Sequence, residues 1–145
     1  MADKKSILSE LSDALADAVE RASAATVTVK ARRRLAASGV AGSADAVVTA
    51  NHVVERDEDI KVVLPDGKEL GATLAGRDHG SDLAVLRVTG GGLTAAERAP
   101  QDSAKVGHMV LAVGRPSEEG VMASSGVISA VGGPWRSWRG AQVEG

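Results

Sequence analysis

Hydrophobic and polar positions change period once along this chain. Between residues 6 and 23, Leu8, Leu11, Leu15, Val19 and Ala22 recur at spacings of three and four. That spacing gathers them on one face of a helix, with Glu10, Asp13, Asp17 and Glu20 falling largely away from it. The stripe predicts a helix laid on the body of a domain; docking a partner or a second copy is the other use of such a face. From Thr26 onward the apolar runs are short and β-branched: Thr26-Val27-Thr28-Val29, Val47-Val48-Thr49, Ile60-Lys61-Val62-Val63-Leu64 and Leu83-Ala84-Val85-Leu86-Arg87-Val88. Between two of them Pro65-Asp66-Gly67-Lys68 is a hairpin signal, since proline presets φ and glycine accepts a positive φ. Residues 69–77 then form the returning strand. Many short strands with frequent turns predict an antiparallel barrel or sandwich.

A break follows at Thr89-Gly90-Gly91-Gly92, because three consecutive glycines suit a loop and not a strand interior. Residues 93–105 are polar and irregular and read as a connection between two β units. Two further strands are predicted over 106–113 and 121–131, and a loop over 132–140.

Composition narrows this picture. The 145 residues are 43% hydrophobic, with no Phe or Tyr and only Trp135 and Trp138 as aromatics, so the core must be aliphatic. A net charge of -2 gives no reason to expect nucleic acid as a partner. The basic run Lys30-Ala31-Arg32-Arg33-Arg34 is the local exception and reads as a solvated turn. Without cysteine there is no disulfide, thiolate metal site or cysteine nucleophile. No window approaches a membrane span, and no apolar export segment follows Met1. The chain as written is therefore expected in the cytoplasm and off the membrane, with export of a longer parent left open.

Three histidines remain as candidate chemistry: His52, His79 and His108. None has the i, i+4 spacing of a helix-borne metal site, and no metal is expected. His52 stands in Thr49-Ala50-Asn51-His52-Val53-Val54, directly after a strand, and Asp82 opens another strand thirty residues later in Asp82-Leu83-Ala84-Val85-Leu86. With Ser38-Gly39-Val40 before them, and the runs Val106-Gly107 to Pro116 and Gly126-Val127-Ile128-Ser129 after them, these segments resemble trypsin-like serine proteases of the HtrA/Deg type. The resemblance covers nearly the whole chain from about Thr26 onward.

It implies an all-β fold. Residues 1–23 would be an N-terminal helix, 24–104 a six-stranded antiparallel β-barrel of trypsin-like type, and 105–145 the first strands of an incomplete second barrel. It also implies roles. An imidazole can take the proton of a serine hydroxyl near pH 7, and a carboxylate on its other nitrogen fixes the tautomer. His52 would be the base and Asp82 its orienter; Asp78 is a rival orienter, set aside because Asp82 occupies the family position. The resemblance implies no cofactor, and a polypeptide substrate for the full-length parent.

The family's nucleophile lies in a Gly-x-Ser-Gly-Gly-Pro run, which these residues do not contain. The look-alike Ser129-Ala130-Val131-Gly132-Gly133-Pro134 has valine at the serine position and follows Asp82 by only 49 residues. Ser38 and Ser125 precede glycine but belong to strand motifs. The chain by itself is therefore expected to be inactive as a protease. A natural short chain would instead be a non-catalytic β-barrel that binds peptides or partners. Strands 106–113 and 121–131 lack the neighbours that would close a second sheet, so self-association, or folding back on the first barrel in an arrangement foreign to the family, is expected.

Overall fold

The computed structural model describes residues 6–133, together with the backbone of two short strands at 135–136 and 142–143. Helix α1 spans Ile7–Ser23. Ser6 caps it by accepting the Ser9 amide at 3.1 Å, and Glu10 in the first turn and Arg21 in the last suit the helix dipole. The apolar stripe packs only in part. Leu15, Val19 and Ala22 are half-buried, but Leu8 is 77% exposed and Leu11 41%. The expectation of a helix laid on the domain thus holds for its C-terminal half alone. A straight rod of roughly 25 Å touches a curved barrel over only part of its length.

Six strands follow: β1 Thr26–Lys30, β2 Ala37–Ala41, β3 Ala46–Ala50, β4 Ile60–Val63, β5 Glu69–Asp78 and β6 Leu83–Val88. They close an antiparallel barrel in the order β1-β2-β3-β6-β5-β4, with β4 returning to β1. Its interior is aliphatic, with Val27, Val29, Val47, Ile60, Val62 and Leu86 at 1% exposure or less. Each such side chain taken from water contributes about 1.5–3 kcal/mol, which lets a core without Phe or Tyr suffice. The β4–β5 turn uses its residues as their chemistry predicts: Gly67 has φ +86°, and the Asp66 carboxylate accepts the Lys68 amide at 2.9 Å. Gly90, Gly91 and Gly92 all have positive φ, so the triple glycine is indeed a loop.

Beyond the barrel, β7 Met109–Ser117 and β8 Gly120–Val127 form a two-stranded hairpin. Its bounds correct the expected ones. β7 begins late because Gly107 turns with φ +93° and the His108 ring accepts the Lys105 amide at 3.1 Å. β8 stops at Val127, after which Ile128 pairs only with the backbone of Gly107 and His108. The hairpin covers the outer face of β1, which is why that strand is buried on both faces. Thr28 Oγ1 donates to the Arg115 carbonyl at 2.8 Å, and the Arg115 amide donates to Ser38 Oγ at 2.7 Å. The Arg115 guanidinium, 9% exposed as a residue, donates to the carbonyls of Thr26 at 2.9 Å and Ser23 at 3.3 Å. Helix, barrel and hairpin are joined there.

The predicted loop over 132–140 is corrected at Trp135–Arg136, strand β9, which pairs antiparallel with β10 at Gln142–Val143. Trp and Val favour extended backbone, and two facing segments suffice for a short ladder. Residues 134 and 137–141 lie outside the described part.

Candidate active site

Strand order brings His52 and Asp82 together. β3 and β6 are neighbours in the barrel with Ala50 opposite Leu83, so the residue leaving β3 meets the residue entering β6. After Ala50 the chain makes one 3-10 turn, Asn51–Val53. Asn51, Val53 and Val54 are buried, and they pin the turn while His52 stays outside. The Asn51 amide donates to the Asp82 carbonyl at 2.8 Å.

Both Asp82 carboxylate oxygens engage His52. Oδ1 accepts the His52 amide at 2.9 Å, and Oδ2 lies 2.6 Å from the ring Nδ1. These bonds, the ring contact first, hold the Asp82 carboxyl below its ordinary value. An ionised carboxylate only accepts, so Nδ1 carries the proton and the neutral ring keeps its lone pair on Nε2. Among the described residues Nε2 has no protein partner, and the His52 side chain is 67% exposed. Such a pair can take a proton at Nε2 and stabilise the cation that results. Asp82 itself has φ +58°, a left-handed conformation uncommon outside glycine.

The rival carboxylate does something else. Asp78 accepts from the Gly80 amide at 2.9 Å, the Ser81 amide at 3.3 Å and the Ser81 hydroxyl at 2.7 Å, and makes no bond to His52. Sequence reasoning missed this work, although an aspartate two residues before glycine is a turn signal that could have found it. His79 is exposed in the same loop, and His108 serves its own turn. Ser38 is occupied by the Arg115 amide, and Ser125 sits in the β7–β8 ladder opposite Leu111. Arg115 was not singled out either, because the motif leaves its position open.

A closed six-stranded antiparallel barrel with a histidine and an aspartate paired at the ends of adjacent strands defines a trypsin-like domain, and the family model described as trypsin-like peptidase domain matches residues 37–144. The chain belongs to that family, and its relatives are of the HtrA/Deg type. It is 41% identical over 98 residues to the periplasmic serine endoprotease DegP of Escherichia coli, covering 66% of this chain and 21% of that protein. Against a probable periplasmic serine endoprotease, DegP-like, of Ectopseudomonas mendocina, identity is 44% over 96 residues, covering 66% and 20%. The crystal structure of the serine endoprotease from Yersinia pestis superposes with a TM-score of 0.72 at 35% identity, over 81% of this chain and 44% of that one. The chain thus spans about a fifth of the length of the curated relatives it matches.

Proposed function

We propose that this chain is the part of a serine endopeptidase that supplies the general base His52 and its orienter Asp82. The observation that carries the reading is the 2.6 Å contact between Asp82 and His52 Nδ1, with the second ring nitrogen free to work. A serine from residues that are not among these 145 attacks the substrate carbonyl as His52 Nε2 takes its proton. His52 then gives that proton to the leaving amine, and an acyl-enzyme remains. Water next attacks the acyl carbon, passing a proton to Nε2 and on to the serine. Asp82 stays ionised throughout and stabilises the imidazolium. The relatives are serine endoproteases by name, and polypeptides are the substrates we propose here. Their periplasmic names are compatible with an exported parent.

The 145 residues alone hydrolyse no peptide bond on this reading, because a base without a nucleophile forms no acyl-enzyme. A fluorophosphonate probe tests it. The chain by itself should give no covalent adduct. A longer chain that includes a Gly-x-Ser-Gly-Gly-Pro run should label, and His52→Ala should slow that labelling by several orders of magnitude. A stoichiometric adduct on any serine of the short chain would overturn the assignment.

A further inference from the structure

We propose that Asp78 is a positioning residue for the His52–Asp82 pair, closing the loop between β5 and β6 so that Asp82 presents both carboxylate oxygens to His52. This rests on the reading of His52 and Asp82 as base and orienter. The loop is short: Asp78 pairs with Leu83 across the ladder, leaving residues 79–82 to reverse the chain. Among the described residues, all three acceptor bonds of Asp78 fall inside it, to Gly80 and Ser81. The next residue is Asp82, at φ +58°.

A left-handed backbone is uncommon outside glycine, asparagine and aspartate, and an aspartate held in it is fixed best where both flanks are tied down. Here two constraints flank Asp82. On the barrel side, the Asn51 amide holds its carbonyl at 2.8 Å. On the loop side, Asp78 gathers the two preceding amides and the Ser81 hydroxyl around one carboxylate. Without Asp78 those amides lose their acceptor, and the loop-side constraint goes. Asp82 must satisfy an amide and a ring nitrogen of the same residue with separate oxygens. A carboxylate turned away can serve at most one, and the ring is then free to exchange tautomers. The Ser81 hydroxyl and the Gly80 amide also keep the Asp78 carboxyl below its ordinary value, as befits an ionised acceptor.

The test reads the His52 tautomer in the intact chain, without any need for activity. Long-range proton–nitrogen spectra of the histidine rings, at about pH 9 where imidazole is neutral, distinguish Nδ1–H from Nε2–H. His52→Gln assigns the signal. The wild type should show Nδ1–H, and Asp78→Ala should show a mixture of both tautomers with barrel methyl signals unchanged. Ser81→Ala, which removes one of the three bonds, should fall between them. Asp78→Asn keeps an acceptor oxygen for the Gly80 amide and should restore most of the wild-type signature. A wild-type tautomer in Ser81→Ala and Asp78→Ala overturns the proposal, and Ser81→Ala decides if Asp78→Ala does not fold. Asp82→Ala, which removes both acceptor oxygens, separates the two readings. If it leaves Nδ1–H intact, the pairing itself is wrong; if it abolishes Nδ1–H while Asp78→Ala does not, only the role of Asp78 fails.

Discussion

At the scale of single residues, charge and space decide most. Asp45, Asp78 and Asp82 all have carboxyls held below the ordinary value, by Arg87, Ser81 and His52 respectively. A lowered folded value means that the unfolded chain binds more protons in that window. Their contribution to stability is therefore complete above the ordinary value and lost as pH falls through the lowered one. Urea midpoints should drop as pH falls below about 4. Asp82→Asn should flatten that limb, and an unchanged slope would contradict the His52 contact. Space is tightest at Gly39. A β-carbon there would stand 2.6 Å from Val47 Cγ1 and 2.8 Å from Val29 Cγ2, both on fully buried valines. Gly39→Ala should cost about 1–3 kcal/mol by overpacking, read as a lower urea midpoint with unchanged slope.

Among elements, the critical joint is Arg115. Its guanidinium binds carbonyls at the end of α1 and in β1, and its own backbone bonds β1 and β2. Arg115→Met keeps the backbone bonds but leaves the Thr26 and Ser23 carbonyls without that donor. Such a loss costs on the order of 1–3 kcal/mol for each buried group left unpaired. Amide exchange should then quicken in β7 and β8 while the β1–β6 barrel keeps its protection. Equal quickening in barrel and hairpin would show that the two unfold as one unit. The elements also mark how far sequence reading reached. The barrel strands were legible because short β-branched runs and turn residues agree, as at Gly67. The ends of β7 and β8 were not: Gly107 turns ahead of β7, Ile128 bonds only the Gly107 and His108 backbone after β8, and β7 runs past the expected 113 to Ser117.

For the whole molecule, what matters is which faces are covered. Among the described residues the β7–β8 sheet has two strands, and Met109, Met122 and Val127 are more than half exposed. No charge interrupts the run from Val121 to Gly133. Uncharged strand edges of this kind template pairing with another chain. The match to the Yersinia pestis structure covers 81% of the chain, more than residues 1–104 could supply, which speaks against a hairpin folded back in a foreign arrangement. Pairing between copies of these 145 residues is what we propose. Sedimentation at micromolar concentration should show it, and Met122→Lys with Val127→Lys should weaken it without unfolding the barrel. A monomer at high concentration would show that the hairpin is protected as it stands.

The sequence by itself determined the type of the longer elements and the aliphatic core, and its resemblance to a family singled out two residues worth pairing. Each depends on local chemistry: the period of apolar positions, the φ that proline or glycine allows, and the motifs around His52 and Asp82. The tertiary structure decided what depends on strand order. Residues thirty apart meet because β3 lies beside β6, and residue 115 reaches the end of α1 because β7 crosses β1. It also separated the two aspartates, giving one to the histidine and the other to the amides and hydroxyl of the β5–β6 loop. Hydrogen bonding is directional and short-ranged, so which carboxylate meets the ring is settled only when the closed barrel fixes both backbones.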